Sequence, residues 1–139
     1  MSQENANVVR ANFAAWNAGD VDAMRERYDP NIIVRPVEGW PEPGPFVGRE
    51  AIIRQWKRQR EDFRSDALEP LSDFIEIADR VVVRFIWRGD TVHGPETKIE
   101  LTGVYTVRKG RIFYIEYFWD HTEALEAVGL SEQDAHADS

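Results

Sequence analysis

The sequence predicts an α+β fold: a cone made of a curved, mostly antiparallel sheet wrapped around three N-terminal helices, with a short C-terminal helix. Three observations carry that expectation. Early apolar residues recur at helical spacing, as Val9, Phe13 and Trp16 do. From Ser65 the period changes to two, the spacing of half-buried strands. The helical and strand patterns are segregated along the chain rather than alternating, which argues against a parallel α/β sheet.

Each element has its own signal. A first helix is expected from Gln3 to Ala18, capped by Ser2 and ended by Gly19, which tolerates the left-handed conformation. Asp20 caps a second helix, in which Val21, Met24 and Tyr28 recur at helical spacing. Asp29-Pro30 closes it, because a residue before proline avoids the helical region. "NIIVRPV" reads as a short strand. Four prolines and three glycines between Pro36 and Gly48 then make a stiff loop. A third helix is expected from Arg49 to Phe63, with Ile52, Trp56 and Phe63 on one face. A strand from Ala67 to Ile77, interrupted near Pro70, leads through "ADR" to a strand over Val81–Arg88. The loop "GDTVHGPE" precedes a strand over Thr97–Arg108, and "RKG" turns into the last strand, Ile112–Trp119. Thr122 caps the final helix and Gly129 ends it.

Alternate strand residues point to opposite sides of a sheet. The odd positions of the last three strands give an apolar, aromatic side: Val81, Val83, Phe85 and Trp87; Thr97, Ile99, Leu101, Gly103, Tyr105 and Val107; Phe113, Ile115, Tyr117 and Trp119. This side is expected to face the helices. The even side mixes Arg84, Glu100 and Glu116 with Ile86, Val104 and Phe118, so cross-strand ion pairs and an apolar patch are both expected there. Ile112 and Phe118 on that outer side suggest a homodimer through the sheet face; the plainer reading is that Phe118 and Tyr114 are single exposed apolar residues.

Composition bounds the function. The 139 residues suit one domain, taken as 1–130, with a loose polar tail over 131–139. A net charge of −8 disfavours nucleic acid as a partner. No stretch suits a membrane span or surface, and the N-terminus lacks an apolar leader, so a soluble cytoplasmic protein is expected. Without cysteine there is no disulfide and no thiol nucleophile. His93, His121 and His136 have no ligand spacing, so neither a metal nor another cofactor is expected.

Five tryptophans and four tyrosines are hard to pack without voids, and buried indoles and phenols need hydrogen-bond partners. A pocket for a small hydrophobic ligand is therefore expected, lined by Trp16, Tyr28, Trp56, Phe85, Trp87, Leu101 and Trp119, with Trp40 and Phe46 as a lip. A solid aromatic core is the alternative. Tyr105 and Tyr117 could donate hydrogen bonds to a carbonyl or enolate oxygen, or simply bond each other. Asp120, beside aromatic surface, is a candidate base, although an Asp there commonly caps a helix. Glu38 on the loop is a second candidate. Arg35 would favour an anionic ligand if it points inward.

"FAAWNAGDVDAMRERYDPNIIV", "FVGREAI", "IADRVVVRF" and "GRIFYIEYFWDHTEALEAVGL" together resemble the SnoaL-like family of the nuclear transport factor 2-like superfamily, over residues 5 to 130. The resemblance implies the cone fold, frequent dimers, and a range of members from ketosteroid isomerases, epoxide hydrolases and polyketide cyclases to non-catalytic binding domains. The isomerase set does not carry over: its base falls near Pro36, its tyrosine near Asn12 and its second acid near Gly103. Arg88-Gly89-Asp90 copies part of the epoxide hydrolase spacing, but Tyr117 stands where that set has a further aspartate. The cyclase design, with one acid near the last strand, points to Asp120. Two functions follow: cofactor-free acid/base chemistry on a small apolar carbonyl compound, or non-catalytic ligand binding in the same pocket.

Overall fold

The computed structural model describes residues 3–130. The expected cap Ser2 and the tail from Ser131 lie outside them. Helix α1 (Glu4–Ala18) ends on Gly19 at φ 69°, in the left-handed region. Helix α2 (Val21–Arg27) is capped by Asp20, whose Oδ1 accepts from the Ala23 N–H at 3.0 Å. Tyr28 does not extend this helix. It is already extended and opens strand β1 (Tyr28–Arg35), where it pairs with Ile112. After a two-residue strand β2 (Phe46–Val47), helix α3 (Arg49–Arg60) stops short of Phe63. Phe63 instead begins β3 (Phe63–Pro70), followed by the short β4 (Ile75–Ile77). The long strands β5 (Arg80–Thr91) and β6 (Glu96–Arg108), then β7 (Arg111–Phe118) and helix α4 (His121–Ala127), complete the chain.

The sheet runs β2-β1-β7-β6-β5-β3, with β4 also paired to β5. All pairs are antiparallel except β1 with β7. The fold is α+β, with a mixed sheet that does not close into a barrel. Helices α1, α2 and α3 pack against its inner face, where Phe13, Trp16, Ile52 and Trp56 join Val81, Val83, Phe85 and Trp87 in one core. No helix among the described residues is long and apolar enough to cross a membrane.

Parity holds through β5 and β6 and fails in β7. The β6–β7 register slips between Thr106–Tyr114 and Val107–Ile112, which places one extra residue on β7. Ile112 and Ile115, three apart, are therefore both fully buried in the inner core. Phe113, expected inside, lies under the Arg108 guanidinium at 4.7 Å, and Ile112, expected outside, is inside. At the other end the strand stops at Phe118, so its alternation no longer governs Trp119. Trp119 is 53% exposed, which corrects its assignment to the inner face.

The outer face is partly covered by the chain itself. Helix α4 lies there rather than with the other helices, and its Ala124 and Leu125 bury Val82 and Val104, with Phe118 packed alongside. Thr102, also under this layer, has its hydroxyl 3.0 Å from His121 Nδ1. Beyond α4 the face carries ion pairs, Arg84 to Glu100 at 2.7 Å and Arg88 to Glu69 at 3.2 Å.

Candidate ligand cleft

Between the helices and the inner sheet face lies a narrow aromatic cleft. Its non-atom space is about 640 Å³, open water at the mouth included. Helix α1 contributes Asn12 and Trp16, one turn apart; α3 contributes Trp56 and Gln59. Strands β5, β6 and β7 supply Phe85 and Trp87, Leu101 and Tyr105, and Tyr117, while β1 supplies Tyr28 and Val34. The Pro/Gly loop closes one side with Pro36, Val37 and Trp40, and Phe46 follows it. Most of the wall is aromatic ring, which suits stacking against a ring of a ligand.

Three phenols meet at the cleft. The Trp56 indole N–H donates to Tyr28 Oη at 3.0 Å, and the Asn12 amide also donates to that oxygen. Burial pushes the Tyr28 hydroxyl up to about 12; these two donors partly offset the shift. Tyr105 donates to Tyr117, with the rings edge-to-face at 6.3 Å. Burial, reinforced by the neighbouring phenols, holds both hydroxyls well above the ordinary tyrosine range. Gly103 makes this arrangement possible. A Cβ there would come within 2.6 Å of the Tyr105 ring, so the glycine leaves the space over which that ring folds.

A carboxylate fixes the tryptophan wall. Asp66 on β3 has a side chain only 4% exposed. Its Oδ2 accepts from both Trp16 Nε1 and Trp87 Nε1 at 2.8 Å, and its Oδ1 accepts from Arg60 Nε at 2.9 Å. The Arg60 guanidinium also lies 4.5 Å over the Trp16 ring. Two indole N–H groups that need partners share one acceptor, and their rings are held edge-to-face at 6.1 Å.

The cleft gathers ten of the residues expected there: Trp16, Tyr28, Trp40, Phe46, Trp56, Phe85, Trp87, Leu101, Tyr105 and Tyr117. It does not gather Trp119, Asp120 or Glu38. Asp120 is exposed and caps α4, accepting from the Thr122 N–H at 2.8 Å. Glu38 is exposed on the loop, where its backbone carbonyl accepts from Trp119 Nε1 at 2.8 Å. That bond ties the end of β7 to the rim, so Trp119 braces the entrance rather than lining it. Arg35 is exposed and bonds Tyr114 on the outer side.

Sequence reasoning missed Asn12 and Asp66. A signal for Asn12 was present: it is a polar residue inside the stripe Val9, Phe13, Trp16. For Asp66 the signal was indirect, the unmet need of inward indoles for an acceptor. Among the described residues lining the cleft, none is a carboxylate, histidine, lysine or arginine. The arrangement can stack rings against a ligand, donate hydrogen bonds from phenols and accept one at Asn12. Phenols with these elevated pKa values stay protonated near neutral pH and do not abstract protons.

Comparison with known proteins agrees with the architecture. Among curated proteins no sequence match is found. An NTF2-like protein of unknown function from Burkholderia pseudomallei superposes with a TM-score of 0.75 at 22% identity, covering 93% of this chain and 99% of that one. TerC, crystallised with polyporic acid, gives 0.74 at 22% identity, over 90% and 97% of the two chains. A candidate polyketide cyclase from Sinorhizobium meliloti gives 0.66 at 27% identity, over 80% and 93%. The model of the SnoaL-like domain matches residues 9–115, most of the chain, and the chain belongs to that family.

Proposed function

We propose that this SnoaL-like chain binds a small, flat, mostly apolar molecule in its aromatic cleft and does so without acid/base turnover by its own side chains. One observation carries the reading: the cleft holds three protonated phenols and two amides but no group able to take a proton near neutral pH. The acid/base alternative needs Asp120 or Glu38 to reach the ligand. Asp120 is engaged as a helix cap, and Glu38 is exposed on the loop. Tyr105 and Tyr117 could still steady developing charge on an oxygen, but a donor pair without a base polarises and does not deprotonate. The solved relative crystallised with polyporic acid supports the view that a cleft of this kind admits an organic ligand. A homodimer through the strip of outer face left uncovered by α4 belongs to the same proposal.

Titration with 9-fluorenone, a rigid aromatic ketone, tests the reading. Quenching of tryptophan emission should saturate at one molecule per chain, and Tyr117→Phe should weaken binding about fivefold, the effect of one lost hydrogen bond. Saturable binding that is absent would sink the proposal. So would deuterium exchange at the α-carbon of a bound enolisable ketone, 2-indanone, that runs faster with the protein than in buffer.

A further inference from the structure

Most buried side-chain polar atoms in folded proteins have partners, so an exception lining a cleft is informative. Asn12 is 5% exposed, and its Oδ1 has no hydrogen-bond partner among the described residues. Three other buried side-chain atoms share this condition, on Arg27, Gln55 and Arg88, but Asn12 alone of the four lines the cleft. Its amide group lies against the Tyr28 hydroxyl, and the carbonyl end is left open. The Tyr28 oxygen also accepts from Trp56 Nε1, so both its lone pairs are used. No hydrogen bond among the described residues takes the Tyr28 proton. An open acceptor and an open donor therefore stand side by side, two bonds of one network apart, in the wall of an otherwise oily slot.

We infer that the natural ligand is a planar ring system whose edge carries a hydrogen-bond donor next to an acceptor, as in a cis-lactam or an enolised 1,3-dicarbonyl. The ligand N–H or O–H donates to Asn12 Oδ1, and the neighbouring ligand oxygen accepts from Tyr28 Oη–H. This rests on the binding role proposed for the cleft and adds a preference to it: a ligand with an acceptor oxygen alone still binds, but more weakly than one that also carries the donor. The physical reason is asymmetric. A ligand with the right shape but no donor leaves a buried carbonyl oxygen unsatisfied, which costs more than a good hydrogen bond gains. The same logic lets a site that bonds a polar group reject the isostere that lacks it.

A matched pair of probes tests this without any mutation. 2-Quinolone and coumarin have the same outline and carbonyl; the first has a ring N–H where the second has a ring oxygen. By calorimetric titration the wild-type protein should bind 2-quinolone at least about tenfold more tightly than coumarin. In Asn12→Leu, or Asn12→Ala if the first does not fold, the ratio should fall below about threefold, the remainder reflecting the stronger lactam carbonyl. Equal binding of the two probes by wild type, or an undiminished ratio in the Asn12 variants, overturns the donor preference. If 9-fluorenone still binds in that case, the cleft reading survives alone. If none of the three compounds binds, both readings fall.

Discussion

Two polar clusters border the same cleft and have opposite characters. Around Asp66, both carboxylate oxygens are engaged by indole and guanidinium donors, and the cluster is closed. Around Tyr28, the oxygen is saturated while its proton and the Asn12 carbonyl are left over. The first is charged and the second is neutral. A buried charge is tolerated only when well partnered, so a closed cluster serves to hold rings in place. A neutral group at the cleft can be met by water while the cleft is empty, so it can wait for a ligand. The contrast separates the part of the wall that builds the cleft from the part that reads what enters.

The contrast is tested most severely at Asp66. Asp66→Ala strands Arg60 and two indole N–H groups together, and should lower stability by about 4 kcal/mol, read from the urea midpoint. A loss under about 1 kcal/mol would mean those donors find water easily and the node fixes nothing. Next in size is an alkaline effect from the phenols. Tyr28 has its pKa raised from 10.0 to about 12 in the fold, so the unfolded chain releases this proton first. Its contribution is fully present below pH 10 and is lost as pH rises toward about 12, a fall of about 3 kcal/mol. Tyr28→Phe should remove its own share of that fall, read as a shallower slope of urea midpoints across the window, while Tyr105 and Tyr117 keep the rest; an unchanged slope would place the Tyr28 ring in contact with water. The smallest effect belongs to the residues outside both clusters. Asp120→Ala should cost about 1 kcal/mol as a lost helix cap and leave 2-quinolone affinity unchanged. A weakened affinity in that variant would return Asp120 to the site.

How much of this was legible depends on how local each cause is. Strands β5 and β6 pair without a break from Arg80–Thr106 to Asp90–Glu96, so their odd-side alternation places Phe85, Trp87, Leu101 and Tyr105 inside directly. The same rule misplaces Phe113 and Ile112 because a single bulge reverses it, and misplaces Trp119 because the strand has ended. No local pattern showed why residue 103 is a glycine; the reason is the ring of Tyr105 lying over it. Asp66 was invisible as an anchor because its partner Trp16 is 50 residues away in the chain, and the other indole is on a different strand.

By itself, the sequence determined the two-part order of helices and strands, the aromatic inner face and the outer ion pairs. These follow from the period of the backbone, which any short window of residues displays. Only the tertiary structure decided which face α4 covers, that Trp119 braces the rim, and that one polar cluster is closed while the other is open. Hydrogen-bond saturation is a property of atoms delivered from distant segments to one place, and no local pattern counts them.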